Sequence, residues 1–221
     1  SPVRHAPCPT PFPYTTPCRQ GRQPSGLFGS LVGRIMSKET AAANDIAIAL
    51  LNVSPGDRVL DVGTGHGAAL ATLATLNDPG SLDGIDFSPT ALKIARKKNR
   101  LLLKSGRLHL HEGASDAMPY ADQSFEKILT MHTIYFWEDA AAHFKEIFRV
   151  LAPGGRFVVG FRPGDDARAA SIFPGNIYAF RTIADVKQLL EKTGFRIAET
   201  ERRDDRKSIL SWIAAERPGS T

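Results

Sequence analysis

Two aspartates flank a glycine-rich stretch, and together these residues could hold a nucleoside-like ligand. The stretch Gly63–Gly67 reads Gly-Thr-Gly-His-Gly, and such loops bring backbone N–H groups close to a ligand. Asp86 lies 19 residues after Gly67, where a carboxylate can accept hydrogen bonds from both ribose hydroxyls. Asp61, two residues before Gly63, would repel a pyrophosphate and attract an ammonium group. Its alternative role is to cap N–H groups of the loop.

A second group of residues with chemical potential follows another predicted strand. His132 comes directly after Met131 and is a candidate general base, since an ordinary pKa of about 6.5 suits proton transfer near neutrality. Its alternative role is a hydrogen bond to backbone or ligand. Tyr135 is a second candidate catalytic residue, and Tyr135, Phe136 and Trp137 could line an aromatic pocket or belong to the core.

The elements that must position these residues alternate between short apolar runs and helical spacing, which is typical of parallel βαβ units. Strands are predicted at residues 58–62, 81–86, 108–111, 125–131 and 156–161, and helices at 39–51, 68–76, 88–104, 139–151 and 183–192. Two further strands, 195–200 and 209–215, are joined by a stretch too short for a crossover helix, so they should pair antiparallel. We therefore predict an α/β fold with a Rossmann-like, doubly wound, seven-stranded, mainly parallel sheet and a C-terminal antiparallel hairpin.

Composition divides the 221 residues into two unequal parts. Residues 1–24 hold seven of the 15 prolines and both cysteines, so we predict a flexible proline-rich tail followed by one domain over residues 25–221. The domain then offers no thiolate for zinc or for nucleophilic attack. The tail also supplies three of the five net positive charges. We expect no membrane span and a cytoplasmic location, because the sequence has neither a run of about 18–20 apolar residues nor an apolar signal-type segment.

Four segments resemble, in this order, the motifs of class I S-adenosylmethionine-dependent methyltransferases: Val59–Gly67, Gly84–Ser88, Gly113–Tyr120 and Arg149–Arg156. The resemblance implies S-adenosylmethionine as cofactor and S-adenosylhomocysteine as product. It places Asp61 near the methionine end, Asp86 on the ribose and Phe87 beside the adenine. Many relatives have an acidic residue directly after the glycine of the third motif, where this chain has Ala114 after Gly113. Ser115 or Asp116 could therefore contact the adenine amino group instead. The cofactor residues that the resemblance implies are Asp61, Gly63, Thr64, Gly65, Gly67, Asp86, Phe87, Ala114, Ser115 and Met131.

The reaction that the resemblance implies is methyl transfer to an O, C or N atom of a small, partly apolar molecule. We expect the protein to be a monomer or homodimer. The quinone and sterol-like branch of the family is most similar, and it has a helical N-terminal cover. The residues expected to border the substrate are Phe28, Met36, Trp137 and Phe161. Two alternatives remain from the residues alone. One is a nucleotide-dependent oxidoreductase on the same fold, which would tolerate an apolar residue at position 61; the other is a non-catalytic binding module.

Basic residues concentrate on one predicted helix and the turn after it. Seven lysines and arginines and no acid lie between Ala91 and Arg107, a run that usually forms a solvated helix face. Because no aromatic residue interleaves this run, a nucleic-acid partner is not expected. His109 and His111 alternate on a predicted strand without a visible third ligand, so no metal site is expected. His143 is expected on an exposed helix face.

Overall fold

The computed structural model describes residues 41–76, 79–165, 179–204 and 209–219. The predicted tail 1–24 and the candidate substrate residues Phe28 and Met36 lie outside the described residues. The division into tail and domain therefore stays a prediction.

Seven strands form one sheet in the order β3-β2-β1-β4-β5-β7-β6. Neighbours from β3 to β5 pair parallel, whereas β5–β7 and β6–β7 pair antiparallel. The predicted fold is thus confirmed. The strands are β1 Arg58–Val62, β2 Ser81–Asp86, β3 Leu108–Glu112, β4 Phe125–Met131, β5 Leu151–Phe161, β6 Arg196–Asp204 and β7 Ile209–Glu216.

The helices begin where side chains satisfy the first free N–H groups. Ser88 Oγ accepts from Ala91 N at 3.3 Å and is followed by a proline at the first helical position. The Asp139 carboxylate caps the helix after β4 in the same way. The helices are α1 41–51, α2 Ala68–Leu73, α3 Pro89–Lys98, α4 Arg100–Lys104, α5 Ala140–Val150 and α6 Ile183–Thr193, with a 3₁₀ turn at Ile134–Phe136.

The core consists of two clusters, one on each face of the sheet, because successive strand residues point to opposite faces. On β1, Val59 packs in the cluster with α1 and α2, while Leu60 and Val62 pack in the cluster with α5 and α6. With both faces covered, the edge formed by the carboxyl ends of the parallel strands is the place where such a sheet holds ligands.

The structure differs from the sequence-based prediction at two places that affect the surface. The helix predicted at 88–104 is interrupted at Asn99, whose φ and ψ are −102° and 27°. Strand β6 continues to Asp204 because it pairs with β7 as far as Ile209, so part of the charged stretch predicted as a connection is strand. No helix formed by the described residues has the length and apolarity needed to cross a bilayer.

Candidate active site

The glycine loop joins β1 to α2 at the carboxyl end of the sheet. The N–H groups of Gly63 and Thr64 both donate to the Ile85 carbonyl, at 2.8 and 3.1 Å. These two bonds hold the start of the loop against the end of β2. Gly63 has a φ of 72°, and a Cβ there would overlap the Thr133 side chain. Only glycine therefore brings the loop this close to the residues that follow β4.

Asp86, the last residue of β2, connects the loop to the next helix. One carboxylate oxygen accepts from Gly65 N and the other from Ser88 N, both at 2.8 Å. Burial raises the pKa of Asp86 above its ordinary value, and these two N–H groups oppose the rise. Because each carboxylate oxygen can accept more than one hydrogen bond, Asp86 can hold the loop and also accept from two hydroxyls of a ligand.

Asp61, on β1, is a buried carboxylate at the base of the loop. It is 3% exposed, and its Oδ2 accepts from the Thr64 hydroxyl at 2.8 Å. Burial raises the pKa of Asp61 to about 7, the Thr64 hydrogen bond opposes this, and the nearby Asp86 adds to it. The loop N–H of Gly65 goes to Asp86 rather than Asp61. Asp61 therefore fits better as the partner of a positively charged ligand group than as a loop cap.

The end of β4 carries the two candidate catalytic residues. His132 has a φ of 58°, a left-handed conformation that is uncommon outside glycine and often found at functional sites. Its N–H donates to the Gly160 carbonyl at 2.9 Å, and its Nδ1 lies 3.0 Å from Tyr135 Oη. Burial and the positive charge of Arg162 lower the pKa of His132 to about 4, so the imidazole is neutral at physiological pH.

Tyr135 is linked to the next strand as well as to His132. Its hydroxyl oxygen accepts from the N–H of Arg162, directly after β5. Met131 lies against Gly160 of β5, and a Cβ added to Gly160 would overlap the Met131 sulfur. The ends of β4 and β5 thus hold Met131, His132 and Tyr135 beside the glycine loop.

The other predicted site residues fall into two groups. Phe87 is 46% exposed directly after β2, and Ala114 and Ser115 lie in the loop after β3, so these three can face a ligand at the edge of the sheet. Trp137 and Phe161 instead belong to the core cluster, 4% and 0% exposed. The structure gives no support to their predicted role in substrate binding, which stays a prediction.

Two residues that shape this edge were not recognised as such from the sequence. Asn99 donates its side-chain N–H to the Gly67 carbonyl at 3.0 Å. His143, expected on an exposed face, is half-buried: its Nδ1 lies 2.8 Å from Ser115 Oγ, and its ring stacks on Trp137 with centroids 4.6 Å apart. Since His143 and Ser115 are 28 residues apart, sequence spacing could not show that they meet.

No group of three His, Cys, Asp or Glu side chains within the described ranges is arranged to hold a metal ion. The residues near the glycine loop offer two carboxylates and a neutral histidine. This set suits a ligand that combines hydroxyls with a positive charge.

Comparison with known proteins agrees with this chemistry. Residues 60–159 match the model of a family described as a methyltransferase domain. An O-methyltransferase of Pyrenophora dematioidea is 33% identical over 67% of this chain and 58% of its own length. An uncharacterised methyltransferase of Bacillus subtilis is 26% identical over 86% of this chain and 99% of its own length.

A solved structure shows the same architecture. Geranyl diphosphate C-methyltransferase from Streptomyces coelicolor, in complex with S-adenosylhomocysteine, gives a TM-score of 0.68 at 14% identity, over 80% of this chain and 79% of that one. The chain spans somewhat more than half of the O-methyltransferase that it matches and nearly all of the Bacillus subtilis protein.

Over residues 60–159 the comparisons thus agree with the sequence resemblance to class I S-adenosylmethionine-dependent methyltransferases. These similarities support the predicted enzyme class and S-adenosylmethionine as the cofactor.

Proposed function

We propose that this protein transfers a methyl group from S-adenosylmethionine to an O, C or N atom of a small, partly apolar molecule. The observation that carries the proposal is the pair of buried carboxylates, Asp61 and Asp86, on either side of a glycine loop. S-adenosylmethionine supplies a methyl group on a positively charged sulfur. Names among the relatives and structural neighbours include methylation at oxygen and at carbon, which supports this range of acceptor atoms.

The chain's own residues divide the work of binding. Asp61 attracts the ammonium group of the cofactor, because a nearby cation lets this buried carboxylate ionise. Asp86 accepts from the ribose hydroxyls while it keeps the Gly65 N–H in place. Backbone of Gly63, Gly65 and Gly67 lies against the methionine end, Thr64 orients Asp61, and Met131 closes the side toward β5. Phe87, Ala114 and Ser115 border the adenine.

His132 and Tyr135 stand beside the acceptor in this proposal. With a pKa of about 4, His132 enters the reaction neutral, so it can accept a hydrogen bond from an acceptor hydroxyl, but the low pKa makes it a weak general base. The Tyr135 hydroxyl, 3.0 Å from Nδ1, orients the imidazole ring. An acceptor that is already ionised needs only alignment, and then these side chains position it and exclude water.

Isothermal titration with S-adenosylhomocysteine tests the binding site. We expect Asp61→Asn and Asp86→Ala each to weaken binding about tenfold to a hundredfold, since hydrogen bonds to a charged group contribute about 1.5–3 kcal/mol. Asp83→Asn is the matched control: Asp83 lies on the same strand as Asp86 and is equally buried, at 8% exposed, but it faces His111. No binding by the unmodified protein would contradict the proposed cofactor, and equal losses in all three variants would show that the site is not at Asp61 and Asp86.

Methyl transfer itself is tested with labelled S-adenosylmethionine and a panel of phenols, quinols and amines. Formation of S-adenosylhomocysteine that depends on one of these acceptors supports the proposal. Turnover that is unchanged in both His132→Ala and Tyr135→Phe would remove the two residues from the reaction and leave the cofactor site untouched.

A further inference from the structure

Helices α3 and α4 carry a dense positive charge on the outer surface. Between Phe87 and His111 the chain has seven basic residues and no acidic one. Six of these side chains are exposed, and none of the six forms an ion pair with any other described residue. Together with the exposed Leu101 they define what we call the basic face: Lys93, Arg96, Lys97, Lys98, Arg100, Leu101 and Lys104.

The orientation of this face is fixed by packing. Ala91, Leu92 and Ala95 are buried on the inner side of α3, and the Asn99 side chain, 3% exposed, holds the junction with α4 by hydrogen bonds to the carbonyls of Gly67 and Ala95. The basic side chains of α3 therefore point outward, and on α4 the side chains of Arg100, Leu101 and Lys104 are exposed.

Several arginines elsewhere in the described domain have acidic partners. Arg58 pairs with Glu126, Arg149 with Glu146 and Asp122, and Arg156 with Glu199 and Glu216. The excess charge of α3 and α4 is thus local, and a local excess of one sign creates a field that attracts an anionic partner.

Leu101 distinguishes the basic face from an ordinary charged helix surface. It is 73% exposed, and within the described residues only Leu101 and Phe87 are large apolar side chains that are exposed. Arg100 and Lys104 lie on the same helix as Leu101, one residue before it and three residues after it, and Lys97 and Lys98 end α3 on the other side of Asn99. Clusters of lysines and arginines on a helix are attracted to anionic lipid headgroups, and exposed apolar side chains such as leucine add to this binding by entering the lipid interface.

We propose that the basic face docks this protein reversibly on an anionic lipid surface, with the lysines and arginines at the headgroups and Leu101 inserted between them. Nucleic acid fits less well, because the face offers no aromatic side chain for base stacking and an exposed leucine gains nothing beside phosphates. The proposal does not depend on the cofactor site. It is consistent with a partly apolar acceptor, which would be concentrated at such a surface.

The test is co-sedimentation of the full chain with vesicles of phosphatidylcholine, with and without phosphatidylglycerol. We expect at least tenfold tighter binding to the anionic vesicles, falling steeply with added salt. The double variant Lys97→Glu with Lys98→Glu should lose at least tenfold of this affinity. Leu101→Ser should lose several-fold and keep the salt dependence.

The matched control is Lys187→Glu with Lys192→Glu, on α6, which changes the net charge by the same amount at another place. Circular dichroism and S-adenosylhomocysteine affinity establish that each variant is folded. The proposal is overturned if the unmodified protein ignores anionic vesicles, if the α6 control loses as much binding, or if duplex DNA or RNA binds more tightly with the same dependence on Lys97 and Lys98.

Discussion

Asp61 is a buried carboxylate that lies beside a second carboxylate, Asp86. With a pKa of about 7 it is largely protonated below neutrality in the free protein. The ammonium group of the cofactor favours the ionised form, so binding should release a proton at pH 6. The affinity of the proposed site is therefore linked to pH through this one residue.

The affinity for S-adenosylhomocysteine is expected to rise about tenfold between pH 6 and pH 7.5 and then level off, since each pH unit below the pKa costs up to about 1.4 kcal/mol. Titrations in two buffers of different ionisation enthalpy measure the proton release directly. Asp61→Asn should bind weakly at every pH, with a flat profile. If this variant keeps the slope of the unmodified protein, the linkage belongs to another group.

The same shift has a consequence for stability with the opposite direction. Because the folded-state pKa of Asp61 is raised, its contribution to the free energy of unfolding is lost as the pH rises from about 4, the ordinary pKa of aspartate, to about 7. The cofactor-free Asp61→Asn protein should therefore melt higher than the unmodified protein at pH 8 and differ less at pH 5.

His143 is expected to act as a positioning residue for the loop after β3. His143→Phe keeps a ring against Trp137 but removes the bond to Ser115, so the cofactor dissociation constant should rise about fivefold, the equivalent of about 1 kcal/mol. Ser115→Ala should have a similar effect, and the double variant should be no worse than either single one. Fully additive losses would show that the two side chains act separately.

At the scale of elements, the glycine loop and α3 form one hydrogen-bonded unit. Gly67, with φ of 67°, caps α2, and a Cβ there would lie 2.5 Å from Asn99 Nδ2 and 3.1 Å from Ala95. The absence of a side chain at Gly67 is what lets α3 pack against the loop. This contact joins the helix after β2 to the residues that we propose face the cofactor.

Gly67→Ala should lower the free energy of unfolding by more than Gly106→Ala. Gly106 is a matched control because its φ is 72° but nothing lies within 4 Å of the position of its Cβ. The control measures the cost of a left-handed alanine, about 1–2 kcal/mol, and the excess at Gly67 measures the lost contact with Asn99. Equal midpoints and slopes in urea for the two variants would rule out a tight contact.

Those elements whose signals are local could be predicted from the sequence. Strand β4 is found at the predicted residues, Phe125–Met131, because an apolar run determines a buried strand. The break at Asn99 could not be seen, since lysines, arginines and leucines on both sides favour helix and the cause is a contact with a loop 32 residues away. Contacts between distant residues limit the prediction of the site as well. Asp61 and Asp86 could be predicted from the loop motif, but the burial of Trp137 depends on its stacking with His143.

At the scale of the whole molecule, the described residues form one sheet with two packed faces. We expect a chain without residues 1–24 to melt within about 2 °C of the full chain and to bind S-adenosylhomocysteine with the same affinity, because a proline-rich tail adds little buried apolar surface. Calorimetry and titration on both chains provide the comparison. A large drop in the melting temperature or in the affinity for S-adenosylhomocysteine would show that residues 1–24 contribute to the domain.

The two core clusters each contain one tryptophan. Trp137 lies in the cluster with α5 and α6, and Trp212 lies in the cluster with α1 and α2, where its indole N–H donates to the Ala43 carbonyl at 3.1 Å. The chain has no other tryptophan. Fluorescence of the single-tryptophan variants Trp137→Phe and Trp212→Phe would therefore follow each face of the sheet separately, and would show whether both faces come apart in one cooperative step.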